Sequence, residues 1–201
     1  MTIKIFLPLI AAATFVSSTY TLVEARKPQL PVSQAQTVDS QVLRSQWKLF
    51  TAPDGRFTVL MPGMPKRVIQ TQKTFMGEIN LEVFLGQPPK QEVAYVVAFN
   101  DFPHSYGQMS NPQEILNNAQ EMALKTTQSN LIEARDIRSS NGHPGKEIQY
   151  INSGGKITRN RMYFAEGRLY QVMVITTKRQ QKYLAKSITG YLNSFNVVLQ
   201  K

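Results

Sequence analysis

From Trp47 onward the chain alternates between apolar runs and turn residues, the signature of short strands joined by tight connections. Two hairpins are predicted first. Trp47–Phe50 and Arg56–Met61 flank Asp54-Gly55, and Pro62-Gly63-Met64-Pro65 closes the second strand. Arg67–Phe75 and Glu78–Leu85 flank Met76-Gly77. Glu92–Asn100 contains Val93-Ala94-Tyr95-Val96-Val97-Ala98-Phe99, apolar at odd and even positions alike. A strand of that kind belongs in the centre of a sheet with both faces covered.

The pattern then changes period. Asn111 suits an N-cap, Pro112 the first helical position, and Glu114 the third position of a capping box. Ile115, Ala119, Met122 and Ala123 fall on one face of the helix that follows, which is predicted to end near Gln128. Four strands come next: Leu131–Arg138, Lys146–Asn152, Lys156–Phe164 and Arg168–Thr176, separated by Asn141-Gly142, Gly154-Gly155 and Glu166-Gly167. In the last of them Leu169, Met173 and Ile175 face one way and Tyr170, Val172 and Val174 the other, again a central strand. A second helix over about Arg179–Leu192 puts Leu184, Ile188, Tyr191 and Leu192 on one face, and a short strand over Phe195–Leu199 ends the chain. Hairpins, one helix, a meander and a second helix predict an α+β fold: a three-layer αβα sandwich around a mostly antiparallel sheet.

Two segments precede this domain. Met1–Ala25 has the form of a secretory signal peptide, with Lys4, an apolar stretch from Ile5 to Val16, and Val23-Glu24-Ala25 before the expected cut. The apolar stretch is shorter than the roughly 20 residues that span a bilayer. Residues 26–45 are rich in Gln, Pro and Ser and are expected to be a flexible tail, leaving 46–201 as one domain. Export points to the periplasm, or to the thylakoid lumen if the source is cyanobacterial, and argues against nucleic acid as a partner.

Composition narrows the chemistry. There is no cysteine, which removes disulfides, thiolate metal sites and thiol nucleophiles. The formal charge is +10, and it is uneven: residues 146–201 carry ten Lys and Arg against two Glu. Such a basic quarter favours an acidic partner, either a protein face or an anionic membrane surface.

Four stretches carry a resemblance to a known family. Phe50-Thr51-Ala52-Pro53-Asp54-Gly55-Arg56-Phe57-Thr58-Val59-Leu60-Met61-Pro62 is similar to the opening hairpin of the PsbP-like family. Asn141-Gly142-His143-Pro144-Gly145-Lys146-Glu147, then Arg161-Met162-Tyr163-Phe164-Ala165-Glu166-Gly167-Arg168-Leu169-Tyr170, then Tyr191-Leu192-Asn193-Ser194-Phe195 resemble later elements of that family, in the right order. The N-terminal tail and residues 62–77 depart from the photosystem II subunit of the family, so the likeness is to the family and not to that subunit. The resemblance implies an αβα sandwich and a noncatalytic binding role. Family members include that extrinsic subunit on the lumenal side of the thylakoid, related assembly factors and exported bacterial proteins, and the wider fold group includes a Ran-binding import factor.

The candidate partner-binding residues are basic. Arg159 and Arg161 lie two apart on one strand and share a face with Ile157 and Tyr163; Arg168 opens the next strand. Lys178, Lys182 and Lys186 form a stripe along the last helix. These six are expected to grip an acidic face of a membrane protein complex or another exported protein, with the chain as a monomer and peripheral membrane association as a related possibility. An alternative is a small-molecule or lipid site between sheet and helix. Asp54, Asp101 and His104 are the candidates for a hydrolytic site or a metal, but no spacing links them. No cofactor and no metal are expected.

Overall fold

A computed structural model describes residues 47–74, 77–103 and 111–199. The expected signal peptide, the tail, the 75–76 turn and His104 lie outside these residues. In chain order the elements are β1 (Trp47–Thr51), β2 (Phe57–Pro62), β3 (Lys66–Thr74), β4 (Gly77–Gly86), β5 (Val93–Asp101), α1 (Pro112–Thr126), β6 (Ser129–Arg138), β7 (Pro144–Asn152), β8 (Lys156–Ala165), β9 (Arg168–Thr177), α2 (Lys178–Tyr183), α3 (Ala185–Ser194) and β10 (Asn196–Val197).

Seven strands form one antiparallel sheet in the order β3-β4-β5-β9-β8-β7-β6. Its central strand β9 and the neighbouring β5 are those whose apolar residues ran on through both parities. Val97 pairs with Val172 and Val96 with Met173, so neighbouring positions bury opposite faces. The first hairpin does not join this sheet. β1 and β2 pair with β10 in a separate three-stranded sheet, order β1-β2-β10.

The small sheet and α3 pack on one face of the large sheet. Phe57 is fully buried there and its ring meets those of Phe50, Phe84, Phe99, Tyr170 and Phe195, with centroids 4.9–6.3 Å apart across this aromatic group. Burying one such ring contributes about 1.5–3 kcal/mol. α1 lies on the other face, where Ile115, Leu116, Ala119 and Ala123 meet Ile148, Tyr150, Met162, Phe164 and Leu169. The result is the expected three-layer αβα sandwich, with a small sheet added to one outer layer.

α1 begins as predicted: the Asn111 side-chain oxygen accepts the Gln113 N–H at 2.9 Å. The last helix differs from expectation. Leu184, at φ −96° and ψ 10°, interrupts it and divides α2 from α3. Leu184 packs against the core while Tyr183 stands exposed, and the bonds Leu184 N–H to Gln180 C=O and Ile188 N–H to Leu184 C=O bridge the break. The β8–β9 turn puts Glu166 at φ 49° and Gly167 at φ 72°, the doubly left-handed pair that a two-residue hairpin loop requires. That turn fixes Arg168 directly behind it.

Candidate functional site: two arginine centres on one sheet face

Side chains alternate along a strand, so residues on the small-sheet face of the large sheet can be read from register. Asp101 and Arg168 lie opposite each other on β5 and β9; Glu147 lies opposite Arg161 on β7 and β8, and Arg135 opposite Glu147 on β6. These residues make two separate ionic centres.

The first is built on Arg168. Its guanidinium sits 3.9 Å above the centre of the Phe99 ring, and its side chain is only 6% exposed. Asp101 accepts from Nε at 2.6 Å and from one terminal nitrogen at 2.8 Å, a bidentate grip, and Asp54 accepts from the other at 2.5 Å. Asp54 also takes the Arg56 backbone N–H at 3.1 Å. Arg56 in turn reaches Asp101 at 3.3 Å and Glu166 at 3.5 Å. Burial works against the Arg168 charge, but its bonds to Asp101 and Asp54 outweigh that and raise its pKa. Burial likewise pushes the Asp54 carboxyl up, and the Arg168 hydrogen bond more than reverses it.

The structure therefore unites two of the candidate acids, Asp54 and Asp101, around an arginine. Both accept hydrogen bonds from the Arg168 guanidinium. It also corrects the expectation for Arg168. That side chain is not on offer to a partner; it is spent inside the domain, tying the β1–β2 turn to the end of β5.

The second centre is built on Glu147, whose side chain is 7% exposed. Its Oε1 accepts Arg159 Nε at 2.9 Å, Arg159 NH2 at 2.5 Å and Arg135 NH2 at 3.0 Å; its Oε2 accepts Arg161 Nε. Burial raises the Glu147 carboxyl pKa, and the hydrogen bonds from Arg161 and Arg159 bring it below its ordinary value. Arg161 also donates to the Leu192 carbonyl at 3.1 Å and to Asn193 Oδ1 at 2.8 Å. It thereby satisfies the unpaired carbonyl end of α3, where a positive charge is favourable.

Arg159 and Arg161 are thus brought together, as their spacing required. Arg135 was not among the candidates. The signal was available: in a β6-β7-β8 meander, an arginine at the same parity on β6 faces the acid on β7. Lys178 and Lys182 on α2 and Lys186 on α3 are exposed, with exposed Tyr183 among them, and the interruption at Leu184 divides their stripe between two helices.

Between α3 and the sheet, Trp47, Pro62, Pro88, Gln91, Tyr95, Leu184 and Ser187 line a crevice of about 40 Å³, room for a few waters. Tyr95 and Tyr191 stack edge-on beside it at 5.0 Å, and burial pushes the Tyr95 hydroxyl up to about 12. On the opposite sheet face, Asn100, Gln171 and Asn160 are buried in a diagonal line across β5, β9 and β8. Only the Asn160–Gln171 bond, at 3.1 Å, joins them; among the described residues both Asn100 amide atoms, Gln171 Nε2 and Asn160 Oδ1 have no hydrogen-bond partner. Among the described residues, no helix is long and apolar enough to cross a membrane.

Comparison with known proteins finds likeness in structure alone. No protein-family model matches the chain, and no curated protein does. Among solved structures, cyanobacterial PsbP (CyanoP) from Synechocystis sp. PCC 6803 superposes with a TM-score of 0.54 at 11% identity, over 76% of this chain and 93% of that one. A Pseudomonas aeruginosa protein of unknown function gives 0.44 at 14% identity, over 78% and 99% of the two chains. A Bacteroides thetaiotaomicron protein gives 0.40 at 12% identity, over 77% of this chain and half of that one. The likeness to CyanoP is one of fold, and it agrees with what the four sequence stretches implied: the domain is a PsbP-like αβα sandwich.

Proposed function

We propose that this chain is an exported, noncatalytic accessory protein that docks on an acidic face of a membrane protein complex or of another exported protein. The observation that carries the reading is the surplus of basic side chains on the C-terminal quarter of a PsbP-like fold. Arg159 is partly exposed beside Glu147, and Lys178, Lys182 and Lys186 stand in solvent on α2 and α3. Charges so placed steer and orient an acidic partner more than they add affinity, and their effect falls with salt. The location would be the periplasm, or the thylakoid lumen in a cyanobacterial host.

A salt wash tests this directly. Membranes of the native host are washed at rising salt and blotted for the chain. Retention at low salt and release near 1 M salt, where the Debye length is about 3 Å, supports electrostatic docking. A protein already free at low salt ends the reading.

A further inference from the structure

The two arginine centres differ in what they leave over. Around Arg168, two guanidiniums (Arg56 and Arg168) face three carboxylates (Asp54, Asp101 and Glu166), and the positive charge is consumed within the domain. Around Glu147, three guanidiniums meet one carboxylate. Glu133, exposed on the same face of β6 and opposite Gln149, is the other acid there; counting it, one positive charge remains in excess.

Burying Glu147 does not need three arginines. Arg161 is accounted for, since it closes the end of α3 as well as bonding Oε2. Arg159 alone gives Oε1 two donors. Arg135 adds a third to the same oxygen from a side chain that is 53% exposed. Arg135 Nε and NH1, and Arg159 NH1, have no hydrogen-bond partner among the described residues. Glu147 thus holds two guanidiniums side by side with donors to spare, pointing from a sheet margin that is open along most of β6.

We infer that Arg135 and Arg159, braced by Glu147, form a receiving site for an aspartate or glutamate side chain of the docking partner. The inference rests on the docking reading and names its contact. Arginine forks match carboxylates in a bidentate way, and a fork already fixed loses little freedom when it binds. An open sheet face does not enclose a small ion; it excludes water only when a broad surface covers it, which favours a carboxylate carried by a protein.

The test titrates the purified chain with hexaglutamate at low salt, with inorganic phosphate as the comparison. R135Q and the pair R135Q/R159Q are set against K178Q/K182Q/K186Q, each first checked for a native urea transition. Hexaglutamate affinity is expected to fall at least tenfold in R135Q/R159Q, about threefold in R135Q, and less than twofold in the triple lysine variant. R135Q, altered only at a half-exposed side chain, keeps the test readable should the pair unfold. Loss in the lysine variant with affinity kept in R135Q overturns the inference and moves the contact to α2 and α3, while docking stands. Equal binding of phosphate, or no binding of hexaglutamate by the unaltered chain, also overturns it. The salt wash judges docking independently of all three.

Discussion

Arg161 donates to the carbonyl oxygen of Leu192 at 3.1 Å, and through that bond the sheet holds the end of the last helix. The same guanidinium pins Glu147, so it serves two elements at once. Arg161→Gln is expected to cost about 2 kcal/mol, the worth of charge-assisted bonds lost at a partly buried site. Arg135→Gln, at a half-exposed side chain, is expected to cost under about 0.5 kcal/mol. Urea denaturation of both variants checks the difference; equal losses would mean that Arg161 does not hold α3.

Arg168 is a structural residue of the fold. Arg168→Met would take from Asp54 and Asp101 the buried guanidinium they share and strip the charge from over Phe99. A loss of about 3 kcal/mol is expected. Arg168→Lys should recover less than half of it, because an ammonium cannot reproduce the bidentate grip on Asp101. Full rescue by lysine in thermal melts would contradict this account.

Acid should unfold the domain through Glu147 and Asp54. Both carboxyls have pKa values below their ordinary 4.5 and 3.8. A lowered folded-state value adds stability above the unfolded value, and that stability is lost as pH falls through the folded one. Stability measured from pH 7 downward should hold to about pH 4.5 and then decline. Glu147→Gln should be less stable at pH 7 and lose less on acidification. An acid limb as steep as in the unaltered chain would assign the effect elsewhere.

Gly145 faces Tyr163 across the β7–β8 ladder, and a Cβ there would lie 2.6 Å from the Tyr163 ring and 2.6 Å from the Met162 carbonyl oxygen. Tyr163 cannot yield easily, since it stacks on Phe195 at 5.6 Å with nearly parallel planes. Gly145→Ala is therefore expected to destabilise by about 1–3 kcal/mol. A calorimetric melt unchanged by the substitution would show that the ring can move.

The diagonal of amides offers a change in the opposite direction. Asn100 is 1% exposed, and neither amide atom is bonded among the described residues. A buried unpaired amide costs about 1–3 kcal/mol, and replacing it by an apolar side chain of similar size removes that cost. Asn100→Leu should raise the melting temperature by a few degrees, roughly 3 °C per kcal/mol at this size. A lower melting temperature would mean that ordered water satisfies the amide.

Strand by strand, the large sheet was legible because local pattern decides it. Doubled parity marked β5 and β9, turn dipeptides bounded the meander, and Asn111-Pro112 marked the start of α1. What the pattern does not carry is pairing at long range. Nothing near Thr58 announces that its partner is Asn196, so the first hairpin's separation into a second sheet was not visible. The same holds for charge. Arg168 opens a strand after a turn, a position that looks solvated, and it is buried because Asp54 and Asp101 converge on it from distant segments. Arg159 and Arg161 were found by spacing alone, whereas Arg135 required the strand order.

The small sheet has a consequence for the order of events in folding. β2 is completed by β10, and Leu60 N–H bonds Ser194 Oγ from 134 residues away. Phe195, whose ring packs on those of Phe57, Tyr163 and Tyr170, comes from the same distant segment. The aromatic core therefore cannot close until Phe57 and Phe195 have met across all the chain between them. Loop-closure entropy on that scale makes such topologies slow to collapse to the native state. The first hairpin should thus wait for its distant partner, and the meeting of β2 with β10 should set the moment at which the domain commits.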